Sequence, residues 1–133
     1  MPDFPIIDTH LHIWDPRRLT YSWQKGNALF DRPFLVEDYQ ADTKGIAIEA
    51  LVFLECYADF TPEAGQYIEE IEFVEDEAKR DPRIGGIVPM APLERGDAVA
   101  PMLEEMVSRF QKVKGIRRIV EFDADPRGLT LSP

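Results

Sequence analysis

Four short apolar runs, starting near residues 4, 46, 84 and 116, alternate with stretches of helical period along the chain of 133 residues. No other feature constrains the fold as strongly. Strands separated by helices pair in parallel, and the crossovers lay those helices over the sheet. The expected strands are Phe4 to His12, Ile46 to Tyr57, Ile84 to Met90 and Ile116 to Phe122. The second is nearly continuous in apolar residues, as in a parallel strand buried on both faces. Gly85 and Gly86 mark points in the third where side chains must be absent.

The intervening helices carry their own punctuation. Val36 to Thr43 reads as a short helix stopped at Lys44-Gly45. Thr61 and Pro62 read as the cap and first turn of a second, whose apolar stripe is Tyr67, Ile71, Val74 and Ala78 and whose stop is Asp81-Pro82. Asp97 reads as the cap of a third, with Val99, Leu103, Met106, Phe110 and Val113 facing inward. The sequence shows no further repeat and no domain boundary, so residues 1–133 read as one partial domain.

A doubly wound open sheet and a (β/α)8 barrel both fit this alternation. A dinucleotide fold would place a glycine-rich turn after the first strand. Histidines stand there instead, which favours the barrel. A barrel takes ~250 residues, about twice this length. The fold class expected is therefore α/β, built of parallel (β/α) units, as the amino-terminal half of a TIM-type (β/α)8 barrel. Its helices should all lie on one side of the sheet.

Both histidines of the chain, His10 and His12, fall at the end of the first apolar run. Strict two-residue alternation would place Asp8, His10 and His12 on one face. Two imidazoles on one face at the carboxyl end of a strand suit a metal ion or an acid–base pair. Asp8 could orient His10 or belong to a buried polar network. Glu55 ends the second strand; alternation groups it with Leu51 and Phe53 towards the lumen, where it could act as ligand or base. The other apolar lumen positions expected are Ile87 or Val88, and Ile119. Arg117 and Arg118 must point to opposite faces. Arg118 goes with Ile116, Val120 and Phe122 towards the helices. Arg117 goes with Ile119 and Glu121 towards the lumen, where it could hold a substrate carboxylate or pair with Glu121 or Glu55. The long segment from Trp14 to Pro33 has no clear period, but Tyr21, Trp23 and Phe30 imply an ordered loop packed over the site or anchored to the rim.

The net charge of −10, from 15 basic and 25 acidic residues, argues against nucleic acid and anionic membrane as partners. Many of the acids fall on the second helix and read as solvated surface. Cys56 is the only cysteine, so an internal disulfide is impossible; nothing basic beside it suggests a thiolate, and it reads as a buried core residue. The amino terminus lacks the pattern of a signal peptide, and no apolar run approaches the ~20 residues of a membrane span. These features lead to the expectation of a soluble, cytoplasmic protein.

With His10-Leu11-His12 on the first strand, then Trp14-Asp15-Pro16, Tyr21-Ser22-Trp23 and Gly115-Ile116-Arg117 in order, the chain resembles the amidohydrolase-related family. It is most similar to the lactonase-like branch that includes fuconolactonase and 2-pyrone-4,6-dicarboxylate lactonase. The resemblance covers this whole chain and the amino-terminal half of such an enzyme. It implies a barrel that hydrolyses esters, lactones or amides at the carboxyl ends of its strands. In many such proteins the His-x-His pair binds one divalent metal, zinc most often, with further ligands from later strands; some lactonases of this branch act without a tightly held metal. Relatives often carry an acid after strand three, where this chain has Ala91-Pro92-Leu93.

The resemblance thus implies His10, His12 and Glu55 as catalytic residues, with the two histidines as metal ligands. Arg117, Trp14, Tyr21 and Trp23 would contact a small carboxylate or sugar-lactone-like substrate. The chain alone would be incomplete. Decarboxylation, also performed in the wider family, is one alternative. A non-catalytic half-barrel that self-associates through its open sheet edges is another.

Overall fold

The structure, a computed structural model, describes residues 4–59 and 66–119. Three strands, β1 (Ile6–Leu11), β2 (Ile48–Leu54) and β3 (Ile84–Val88), form a parallel sheet in the order β1-β2-β3. Three helices, α1 (Val36–Asp42), α2 (Gln66–Arg80) and α3 (Ala100–Arg109), follow the strands in turn. After α3 the chain returns beside β3: Ile87 bridges Val113 and Met90 bridges Arg117, both in parallel sense. The fourth segment thus takes the next place in sequential order, as consecutive units of a TIM-type barrel would require. The Thr61-Pro62 cap, the end of the fourth strand from Val120 to Phe122, and Glu121 lie outside the described residues.

The core lies on one face of the sheet. Leu11, Leu51, Phe53, Ile84 and Ile87 are buried there with Tyr67, Ile71, Val74 and Ala78, the stripe expected of α2. The opposite face is half covered: Val52, Leu54 and Val88 are partly exposed, and Ile7 is 58% exposed. Leu51 and Phe53 therefore face the helices, contrary to the lumen placement expected from alternation; of Ile87 and Val88, the two alternatives for the lumen, Ile87 also faces the helices. Val88 takes the other side. Gly86 sits opposite Val52, whose two methyls would stand 3.3 Å from any added Cβ. That explains why this glycine carries no side chain.

Local chemistry sets the helix ends. Leu35 N–H donates to the Asp38 carboxylate at α1's start, and Gly45 continues beyond its end at φ +87°. Glu77 of α2 accepts the Val36 N–H, so a carboxylate from one helix satisfies an open amide of another. Asp97 does not cap α3. It belongs to a 3-10 stretch, Leu93–Val99, kinked at Gly96, and the α-helix begins only at Ala100 with Pro101 in its first turn. Val113, expected on that helix, lies past its end and belongs to the fourth strand segment. No described helix is long and apolar enough to cross a membrane.

The assignment of faces has a direct check. Phe53→Ala should cost about 3–5 kcal/mol of unfolding free energy in urea titrations, the range for emptying a filled core site. Val52→Ala, one residue away on the half-covered face, should cost about 1 kcal/mol. Equal costs would place the core on both faces.

Candidate functional site

A slip in the β1 ladder places the histidines. Asp8 pairs with Leu51 and Leu11 pairs with Phe53, so three steps on β1 match two on β2. The extra residue is a β-bulge, and it reverses the side-chain parity beyond it. Asp8 is left on the helix side, where its carboxylate accepts the Tyr39 hydroxyl of α1 at 2.8 Å. Asp8 therefore does not share the histidine face, contrary to the expectation from alternation. Its other oxygen accepts the His10 N–H at 3.0 Å, so it secures the bulge backbone. Burial first, and then this hydrogen bond, push the Tyr39 hydroxyl up to about 12.

His10 and His12 lie on the other side, their rings edge to face with centroids 4.8 Å apart. His12 Nδ1 stands 3.1 Å from the Leu54 carbonyl oxygen at the end of β2. A carbonyl only accepts, so the proton is on Nδ1 and the lone pair of Nε2 is left for a ligand or a proton. Burial holds the His12 imidazolium below its ordinary range; the Leu54 carbonyl opposes that shift, and His10 and Arg117 add to it. His12 is thus a neutral imidazole at neutral pH.

Glu55 follows immediately after β2 and is 1% exposed. One of its carboxylate oxygens lies 3.5 Å from the Arg117 guanidinium, whose side chain is 30% exposed. The other accepts the Tyr57 N–H at 2.9 Å. Arg117 thus has Glu55 as a partner, one of the two arrangements open from sequence. Arg118 bonds elsewhere, to Glu94 at 2.9 Å. Glu55, Arg117 and His10 all act electrostatically on His12. The ends of β1, β2 and the fourth segment therefore bring His10, His12, Glu55 and Arg117 into one constellation.

The aromatic loop is fastened to this constellation by its backbone. Trp14 and Phe34 form an antiparallel bridge with stacked rings. The Trp14 indole N–H donates to the carbonyls of Phe30 and Arg32. Trp14 and Tyr21 are buried in the core cluster, where Trp14 serves as the pin of the loop. Trp23 is 44% exposed and donates its indole N–H to the Cys56 carbonyl at 2.9 Å. Asp59 accepts from both the backbone and the hydroxyl of Ser22, and donates its own N–H to Thr20. Of the three aromatic residues expected to touch a substrate, Trp23 is the one with an exposed face beside the constellation.

Glu70 of α2 escaped the sequence reading. Its carboxyl is buried beneath Cys56 and accepts that residue's N–H at 3.0 Å. Burial, with Glu55 nearby, raises it to about 7 against the bond from Cys56. The signal was present: position 70 falls on the apolar stripe between Tyr67 and Val74, where a carboxylate needs a reason. Cys56 is buried, as expected, and its thiol is pushed well up by burial.

The donors present fit part of a metal site. His12 is held in the tautomer that leaves Nε2 for a metal, and two imidazoles on one tetrahedral ion would have ring centres about 5 Å apart. Among the described residues, however, no group of three or more histidine, cysteine, aspartate or glutamate side chains could hold an ion.

No family profile matches the chain. It is 31% identical over 134 residues to the uncharacterized protein y4mH of Sinorhizobium fredii, an alignment covering 94% of this chain and 43% of that protein. The chain thus spans less than half the length of this curated relative. Among solved structures, Amidohydrolase 2 from Bifidobacterium longum subsp. infantis superposes with a TM-score of 0.55 at 23% identity, covering 67% of this chain and 33% of that one. This likeness shows the fold: a mixed α/β arrangement shared with part of an amidohydrolase.

The state of His12 sets a pH dependence. A histidine whose folded pKa is depressed binds its proton more readily when unfolded. Stability should therefore fall as pH drops from about 6.5 towards the lower folded value. Urea titrations between pH 7.5 and 5 should show this loss, and His12→Asn should flatten it. An unchanged slope in the variant would mean that His12 titrates freely.

Proposed function

We propose that this chain forms part of an amidohydrolase-type hydrolase acting on a lactone or similar carboxyl ester. The observation that carries the reading is the convergence of a neutral His12, its partner His10, and the Glu55–Arg117 pair at the carboxyl ends of parallel strands. Ends of several strands are where barrel folds assemble their chemistry. The shared fold with an amidohydrolase supports the reading.

In this mechanism His10 and His12 face the substrate carbonyl, and a divalent ion bound by the pair would supply Lewis-acid polarisation of that carbonyl. Glu55, steered by Arg117 and the Tyr57 amide, takes the proton of an attacking water as its oxygen bonds to the carbonyl carbon. The ring carbon–oxygen bond then breaks, and the leaving alkoxide recovers that proton. Arg117 presents five N–H donors, and its contact with Glu55 leaves others for a carboxylate on the substrate. Trp23 offers the exposed wall against which a ring would lie.

Hydrolysis of a panel of γ- and δ-lactones by the whole protein tests this. His12→Ala and Glu55→Gln should each reduce turnover by about 10²–10⁴-fold, the usual contribution of a proton-transfer group. Carbon dioxide release from a carboxylated substrate without lactone turnover would assign decarboxylation instead.

Metal binding makes a separate check. Calorimetry with zinc should give weak binding to residues 1–133, lost in His10→Ala, because two imidazoles fall short of a four-ligand site. Tight stoichiometric zinc would require further ligands, with Glu55 the first to test.

A further inference from the structure

The exit of β2 is held by a side chain from α2. Glu70 is 3% exposed and accepts the backbone N–H of Cys56 at 3.0 Å. That amide lies next to Tyr57, whose φ of +55° makes it the one non-glycine residue with positive φ among the described residues. A bulky side chain stays in that left-handed region only where its surroundings dictate it. Turned this way, the Tyr57 N–H points to Glu55 and donates to its carboxylate. Successive amides thus go to different carboxylates: that of residue 56 to Glu70 on α2, and that of residue 57 to Glu55. The Cys56 carbonyl meanwhile accepts the Trp23 indole.

We infer that Glu70 is a positioning residue for this site: by bonding the amide just before Tyr57 it fixes the β2 exit and aims Glu55 at Arg117 and His12. The inference rests on reading these three residues as one site, and not on the reaction assigned to them. Packing alone does not account for Glu70. A leucine would fill the same space without the cost of burying a carboxyl group, but it would leave the Cys56 amide without its acceptor.

Glu70→Leu therefore separates the two roles. If Glu70 positions the loop, amide exchange at Cys56 in the leucine protein, read by nuclear magnetic resonance, should accelerate at least about tenfold while amides in the middle of α2 and β1 keep their wild-type rates. Glu70→Gln, a weaker neutral acceptor, should accelerate the same exchange by a smaller factor, and it carries the test should the leucine variant fail to fold. In parallel lactone assays kcat should fall about tenfold with KM little changed, as for a displaced catalytic group. Wild-type exchange at the Cys56 amide in either folded variant would overturn the inference, as would unchanged kcat with that amide freed. Absence of lactone turnover in the unmutated protein would overturn the proposed reaction alone, since the exchange comparison decides the role of Glu70 independently.

Discussion

Where a buried parallel strand ends, its amides lose their ladder partners but remain out of water. The chain must supply acceptors or lose free energy for each amide left bare. At the end of β2 the acceptors come from two glutamates, one on the strand's own exit and one on α2. The carbonyl side is met by the indole of Trp23 and the imidazole of His12. The groups with potential chemistry are therefore the same groups that finish the backbone of the central strand. The aromatic loop, the His-x-His strand and the second helix are all joined through residues 54 to 59.

This explains which parts of the molecule could be read from its residues. The alternation of strands and helices was legible because burial enforces period: Tyr67, Ile71, Val74 and Ala78 are buried together as their spacing requires. The side on which each strand residue falls was less so. Alternation reads Asp8 with His10 and His12, yet a single inserted residue separates them, and a bulge leaves no composition mark here. Glu55 reads as a site residue from its place at the end of β2, but Leu51 and Phe53, read with it towards the lumen, face the helices; past Leu54 the direction of a side chain is set by its bonds. Buried backbone acceptors such as the Leu54 carbonyl have no signature in sequence at all.

The charge of the chain needs the same correction. Reading the acids of α2 as a solvated face holds for Glu69 and Glu72, which are exposed. It fails for Glu70 and Glu77, which are buried and bond the amides of Cys56 and Val36. Outside α2, Asp15 and Asp81 are buried acids matched with Arg17 and Arg83. Part of the acidic excess is thus structural: carboxylates serve as acceptors for amides that the secondary structure leaves open. An acid on an apolar helical stripe is the residue-level sign of this use, and it points to Glu70 without coordinates.

The half-covered face bears on how the constellation would work. Val52, Leu54 and Val88 are partly exposed beside His12, so water still screens the site from that side. Screening weakens both the Arg117–Glu55 attraction and any pull on a carbonyl. Further polypeptide laid over this face would remove water from all of these groups together. Burial is already the largest cause of the lowered His12 pKa, so deeper burial would lower it further and keep Nε2 unprotonated to still lower pH. The Glu55–Arg117 pair would strengthen at the same time, because the two charges would meet in a less polar medium. Covering the sheet would therefore sharpen the division of labour already present, with a neutral imidazole on one strand and a carboxylate steered by a guanidinium on its neighbours.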